Sequence, residues 1–227
     1  MISGAIFDMD GTMFDTERLS MEGWFSGCHS LGIPLTREQF LLFRGHSVAE
    51  NDRLFHGWFG ADAPYYEVRA LRDRYIRDYI STHGIPIKPG LFELLDALKE
   101  LGIRCCIATG TARKAAEVYW EKSGVLPWFE AAICGDEVVN CKPDPEIFLR
   151  AAGKLGLQPE ECVIFEDSPN GIQAAAASGS RLIVIPDLDE PDEDMRDACD
   201  AICPTLADAI EIVKKLRTAG LSDEEPI

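Results

Sequence analysis

The sequence predicts an α/β fold, a parallel sheet covered by helices, with an all-helical segment inserted into it. Three observations carry this expectation. From residue 89 onward short apolar strands alternate with helical stretches, the rhythm of parallel strands joined by crossover helices. A further buried-strand pattern, Gly4 to Asp8, stands alone at the start. Between the two, residues 16–87 carry only helical periodicity. The 227 residues, 46 % of them hydrophobic, suffice for one large domain with a smaller insert. The expected division is an α/β core of residues 1–15 and 88–227, and a helical cap of residues 16–87.

The elements follow in order. Gly4 to Asp8 reads as a strand that enters a Gly-containing loop. Met21, Trp24, Phe25, Cys28 and Leu31 fall on one helical face, and Val68, Leu71, Tyr75 and Tyr79 on another. Thr36 to Gln39 and Ser47 to Glu50 have the capping-box pattern. The aromatics Trp24, Phe25, Phe40 and Phe43 read as core. After Pro89 come a helix over 91–101 stopped by Gly102, a strand over 103–108, and a helix over 112–123 ended by Gly124. A strand over 131–134, a helix over 145–155, a strand over 162–166, a helix over 169–178 and a strand over 181–185 follow. A last helix spans roughly 205–217, and the polar tail beyond it is expected to fray.

Charge and cysteine usage narrow the function classes. A formal net charge of −17 repels nucleic acid and anionic membrane, so neither is expected as a partner. An anionic substrate would then need positive charge supplied locally, by a metal or a few basic side chains. The eight cysteines show no C-x-x-C pair, and no His or Cys cluster completes a zinc set. They read as reduced, mostly buried thiols. The N-terminal residues lack a basic segment followed by a long apolar run, and no run approaches the ~18 residues of a membrane span. A cytoplasmic protein is expected.

In an open parallel sheet, ligands gather at the carboxyl ends of the strands. Those ends carry Asp8 and Asp10, then Thr109, Gly110 and Thr111, then Lys142 in a loop before Pro143, then Glu166 and Asp167. Taken singly, each has a structural reading: Asp-x-Asp as a turn or cap, Thr109 as a helix N-cap, Lys142 as a solvated loop lysine, Glu166-Asp167-Ser168 as the cap before Pro169. Together they make a phosphoryl-transfer set. Crowded carboxylates call for a hard cation such as Mg²⁺. Thr109, the N–H of Gly110 and Lys142 supply donors and positive charge for phosphoryl oxygens. One carboxylate can attack phosphorus, and a second can move a proton to and from the oxygens that leave and enter.

Four segments carry a family resemblance: Phe7-Asp8-Met9-Asp10-Gly11-Thr12, Ala108-Thr109-Gly110-Thr111, Lys142 to Phe148, and Phe165 to Gly171. In this order, with a helical cap after the first, they resemble the four motifs of the haloacid dehalogenase superfamily, nearest its branch of β-phosphoglucomutases and small-molecule phosphatases. The resemblance implies a Rossmann-like core. It also implies Asp8 as nucleophile and Asp10 as general acid/base, with Thr109 and Lys142 holding phosphate. Mg²⁺ would be bound by Asp8, the backbone carbonyl of Asp10, and Asp167, with Glu166 in or behind that shell. Arg44 and His46 lie where the family reaches substrate from the cap; their structural alternatives are a helix-terminal Arg and a solvent His. Arg113 reads either as facing the site or as a surface charge. Mutases similar to β-phosphoglucomutase carry a His where Ser20 stands and an Arg where Val48 stands. The expected function is therefore a Mg²⁺-dependent phosphatase of a small phosphorylated metabolite, acting as a monomer or weak homodimer. A sugar-phosphate mutase is the second reading, and a non-catalytic ligand- or partner-binding protein the third.

Overall fold

A computed structural model describes residues 1–43, 48–189 and 191–218. The chain forms two compact units, Met1–Asp15 with Ile87–Ile227, and Thr16–Pro86.

The first unit holds a six-stranded sheet: β1 (Gly4–Phe7), β2 (Arg104–Thr109), β3 (Ala131–Cys134), β4 (Cys162–Glu166), β5 (Arg181–Val184) and β6 (Ala201–Ile202). All neighbours are parallel, in the order β3-β2-β1-β4-β5-β6. This is the strand order of a doubly wound sheet, whose direction of winding reverses beside β1. The predicted α/β class is therefore the observed one, with the helical insertion after β1. The central strands are apolar on both faces because helices cover both: β1 and β4 are buried at every residue. The register sets Phe7 beside Ile107 on one side and Phe165 on the other, so the residues after β1 emerge next to those ending β2 and β4.

The second unit consists of α1 (Thr16–Ser30), α2 (Arg37–Leu41), α3 (Val48–Phe59) and α4 (Tyr65–His83). The capping box at Thr36 forms as read: Thr36 Oγ1 accepts from the Gln39 N–H and Gln39 Oε1 accepts from the Thr36 N–H. The one proposed at Ser47 lies outside the described residues. Helix α1 packs on α4 through its glycines; a Cβ on Gly27 would meet Val68 O at 3.1 Å, and one on Gly23 would meet Arg72 Cγ at 2.9 Å. Leu71 and Tyr75 lie over these glycines half-buried, while the deeper stripe of α4 runs through Val68, Ile76 and Ile80. Trp24, Phe40 and Phe43 are buried and Phe25 half-buried, in an aromatic core shared with Phe55 and Tyr65.

The remaining helices are α5 (Leu91–Glu100), α6 (Arg113–Ser123), α7 (Glu146–Lys154), α8 (Pro169–Ser178), α9 (Glu193–Ala198) and α10 (Ala209–Thr218). Two elements, α9 and β6, have no counterpart in the sequence pattern. Six residues with none buried and two residues of strand leave no periodicity to detect. The last helix starts at Ala209 rather than near Thr205, because Thr205 and Asp208 bond to each other's backbone N–H and form a turn ahead of it. All eight cysteines are free thiols; Cys141 is exposed and Cys199 half-buried, the others buried. Among the described residues no helix is long and apolar enough to cross a membrane.

Candidate active site

The carboxyl edge of the sheet brings the predicted residues together where the register demands it. Asp8 follows Phe7, and its N–H donates to Phe165 O at 3.0 Å, which places Asp8 beside Glu166. The Lys142 ammonium lies between them, 2.5 Å from Asp8 Oδ1 and 2.7 Å from Glu166 Oε1. It also reaches Ala108 O at 3.5 Å and lies 4.8 Å from the centre of the Phe148 ring. Lys142 is thus no solvated loop lysine. Its peptide bond to Pro143 is cis.

Glu166 is fully buried and held on its other oxygen, where Oε2 accepts from the N–H groups of Asp167 and Ser168 at 2.6 Å each. Ser168 Oγ donates to the same oxygen at 3.1 Å and accepts from the Gly171 N–H, capping α8. The carboxylate lies directly over Gly171: a Cβ there would fall 1.7 Å from Glu166 Oε1. Asp167 is buried too, and Thr12 Oγ1 donates to its Oδ1 at 2.9 Å. The turn after Asp10 runs against Asp167, since Gly11 has φ +90 and a Cβ on it would stand 2.4 Å from Asp167 Oδ2. Only glycine tolerates both the dihedral and the approach.

The strand-two end supplies hydroxyls. Thr109 is buried and does not cap α6; its Oγ1 accepts from the Thr111 N–H at 3.0 Å. Thr111 Oγ1 donates to Asp10 Oδ2 at 2.7 Å, and Thr109 Oγ1 lies 3.5 Å from the same oxygen. Gly110 is exposed between them. In the sequence pattern Thr12 is only a motif residue and Thr111 a strand-end hydroxyl with no assigned partner; the structure gives each a carboxylate. Arg113 is turned into a brace, with its guanidinium on Glu137 at 2.6 Å, on Ala132 O at 2.8 Å, and against the Trp120 ring. Arg44 and His46 lie outside the described residues.

Electrostatics follow from burial. Asp8 is pushed up to about 8, first by burial and then by Glu166 and Asp10, against the pull of Lys142. Burial alone would lower Lys142, but Asp8 and Glu166 together hold it well above its ordinary value. Four carboxyl groups, Asp8, Asp10, Glu166 and Asp167, thus gather at these strand ends, and Lys142 pairs with two of them, Asp8 and Glu166, so that carboxyls outnumber the ammonium between them. Hard oxygen donors in surplus negative charge are the environment that Mg²⁺ fits. Among the described residues no three His, Cys, Asp or Glu side chains form a ready-made metal cage. Mg²⁺ needs none, because it keeps several waters and takes one or two carboxylates with a phosphate oxygen.

A model of the haloacid dehalogenase-like hydrolase family matches residues 2–179. The phosphorylated carbohydrates phosphatase of Thermotoga maritima is 30 % identical over 183 residues, 80 % of this chain and 84 % of that protein. The fructose-1-phosphate phosphatase YqaB of Escherichia coli is 30 % identical over 179 residues, 78 % of this chain and 93 % of that protein. Protein SUPPRESSOR OF QUENCHING 1, chloroplastic, of Arabidopsis thaliana is 30 % identical over 194 residues, but the chain spans only 18 % of its length. Among solved structures, a variant of CbbY from Rhodobacter sphaeroides in complex with xylulose-(1,5)-bisphosphate matches with a TM-score of 0.70 at 26 % identity, covering 91 % of this chain and 96 % of that one. A β-phosphoglucomutase from Clostridium difficile shares the fold, with a TM-score of 0.77 at 20 % identity over 98 % of this chain and all of that one.

Proposed function

The chain belongs to the haloacid dehalogenase-like hydrolase family, and on that premise we propose that it is a Mg²⁺-dependent phosphatase of small phosphorylated metabolites, sugar phosphates foremost. The observation that carries this reading is the Lys142 ammonium seated on Asp8, with Asp10 and Thr109 at the adjoining strand ends. Phosphatases of phosphorylated carbohydrates and of fructose 1-phosphate among its relatives support the substrate class.

Asp8 attacks phosphorus, and the bond to the leaving oxygen breaks with its electron pair on that oxygen. Asp10 gives that oxygen a proton. Water then attacks the aspartyl-phosphate, Asp10 takes up its proton, and the bond from phosphorus to Asp8 breaks to release phosphate. Thr109, the Gly110 N–H and Lys142 bind the phosphoryl oxygens as charge builds on them. Mg²⁺ would be held by Asp8, the Asp10 carbonyl and Asp167, and it supplies positive charge to the carboxylates and the phosphoryl group. Glu166, engaged by Lys142 and by the donors at Asp167 and Ser168, acts from behind as an anchor for both. Arg44 and His46 are proposed as substrate contacts on the sequence alone. Ser20 and Val48, standing where the mutases carry His and Arg, favour release of the phosphoryl group to water.

Phosphate release from a panel of phosphorylated sugars and other metabolites tests this reading. The expected result is turnover with Mg²⁺ that stops in chelator; turnover unchanged by chelator would contradict it.

A further inference from the structure

Asp10 must present its proton to an oxygen whose position is set by the substrate, so the plane of its carboxyl group has to be fixed. The structure fixes it from β2. Thr111 Oγ1 donates to Asp10 Oδ2 at 2.7 Å, a short bond, whereas Thr109 Oγ1 lies at 3.5 Å, the outer limit of a hydrogen bond. Thr109 instead accepts the Thr111 N–H at 3.0 Å, which locks the two threonines to each other. Behind them the loop is braced from the turn after β3: Gly135 N–H donates to Thr111 O at 3.2 Å. A Cβ on Gly135 would fall 2.1 Å from Gly110 O, so the two loops are in backbone contact. Thr111 is therefore not a mobile hydroxyl that happens to meet a carboxylate. Its backbone is held on two sides, and its side chain points at one oxygen of Asp10.

We infer that Thr111 is a positioning residue for Asp10, and that the two threonines divide the work: Thr111 orients the acid/base carboxyl, and Thr109 serves the phosphoryl oxygens. The inference rests on the phosphatase reading above. Its consequence depends on the leaving group. When the departing oxygen is a sugar alkoxide, it needs the Asp10 proton as the P–O bond breaks, and a misaligned Asp10 slows the step. When it is a nitrophenolate, it departs without that proton, and the alignment of Asp10 matters little to that step; the later attack of water on the aspartyl-phosphate is common to both substrates and does not enter kcat/KM.

The test compares wild type with Thr111→Val, Thr111→Ala and Thr111→Ser in Mg²⁺, on fructose 1-phosphate and p-nitrophenyl phosphate. Removing the hydroxyl is expected to lower kcat/KM on the sugar phosphate by about 10- to 100-fold, the size of a lost hydrogen bond to a charged group. On the aryl phosphate kcat/KM should change less than about threefold, and Thr111→Ser should recover most of the loss on the sugar phosphate. Thr111 is only half-buried, so Thr111→Ala stands in if the valine variant does not fold. An equal fall in kcat/KM on both substrates, or no fall on the sugar phosphate, would overturn the inference. A wild-type enzyme inactive on both substrates would instead take down the phosphatase reading, and this inference with it.

Discussion

Asp8, one residue past β1, and Glu166, the last residue of β4, share one ammonium: Lys142 Nζ lies 2.5 Å from Asp8 Oδ1 and 2.7 Å from Glu166 Oε1. The arrangement follows from the pairing of Phe7 with Phe165, which brings the next residues of β1 and β4 out side by side. Two buried carboxylates so close repel unless a cation separates them. Lys142 provides that cation from the β3–α7 loop, more than a hundred residues from Asp8 in sequence.

Lys142→Met should therefore cost both activity and stability. Breaking a buried ion pair by removing one partner costs about 3–5 kcal/mol, and phosphate release should fall at least about 100-fold. Lys142→Arg should not restore activity, because a planar guanidinium does not fit a seat shaped for a compact ammonium. Thermal unfolding and steady-state phosphate release check both; a methionine variant with wild-type turnover would remove Lys142 from the site.

Asp8 makes the metal-free protein pH-sensitive. A carboxyl whose folded pKa is raised holds its proton more tightly folded than unfolded, so its stabilisation is present at low pH and is lost as pH rises through about 8. In chelator, the melting temperature should fall by about 5–10 °C between pH 6 and 9, from roughly two pKa units of linkage over that range. Asp8→Asn should flatten the slope. Added Mg²⁺ should raise the melting temperature more at pH 9 than at pH 6. A metal-free melting temperature independent of pH over this window, in wild type and variant alike, would contradict the assignment.

The glycines differ sharply in what they tolerate. A Cβ at Gly171 would displace Glu166 Oε1, 1.7 Å away, and with it the seat of Lys142. Gly171→Ala should destabilise by about 1–3 kcal/mol and lower turnover. Gly153, inside α7 with nothing within 4 Å of its would-be Cβ, is the control. Gly153→Ala should stabilise by about 0.5–1 kcal/mol with activity unchanged. Denaturant unfolding and phosphate release measure both variants.

Thiol labelling reports the packing. Cys141 is exposed, while Cys105 and Cys106 are buried in β2 and pushed up to about 12 by that burial. The folded protein should take up maleimide fastest at Cys141, and Cys105 and Cys106 only on unfolding. Rapid labelling of either β2 thiol in the folded protein would contradict the sheet order.

Much of this was legible in the sequence because its signals are local. Strand and helix stretches from 89 to 185 are short, apolar and punctuated by Gly or Pro, and Gly102, Gly124, Gly156 and Gly179 all follow helices at positive φ. The motif residues sit at strand ends, so a correct strand reading puts them on one edge. What was not legible depends on distance across the fold. No spacing rule announces that Thr111 bonds Asp10 across 101 residues, or that Thr12 bonds Asp167 across 155. Likewise Arg113 could face the site or solvent until Glu137 and Ala132 claimed its guanidinium.

The most direct test of the central claim identifies the residue that carries phosphate. Enzyme mixed with Mg²⁺ and a hydrolysed phosphomonoester is quenched in acid and treated with borohydride, which reduces an acyl phosphate to the alcohol. Peptide mass spectrometry then locates the reduced carboxyl. Reduction at Asp8, lost when substrate is omitted, is the expected result. Reduction at Asp10 or Asp167 with Asp8 intact, in an enzyme that turns over, would contradict the account.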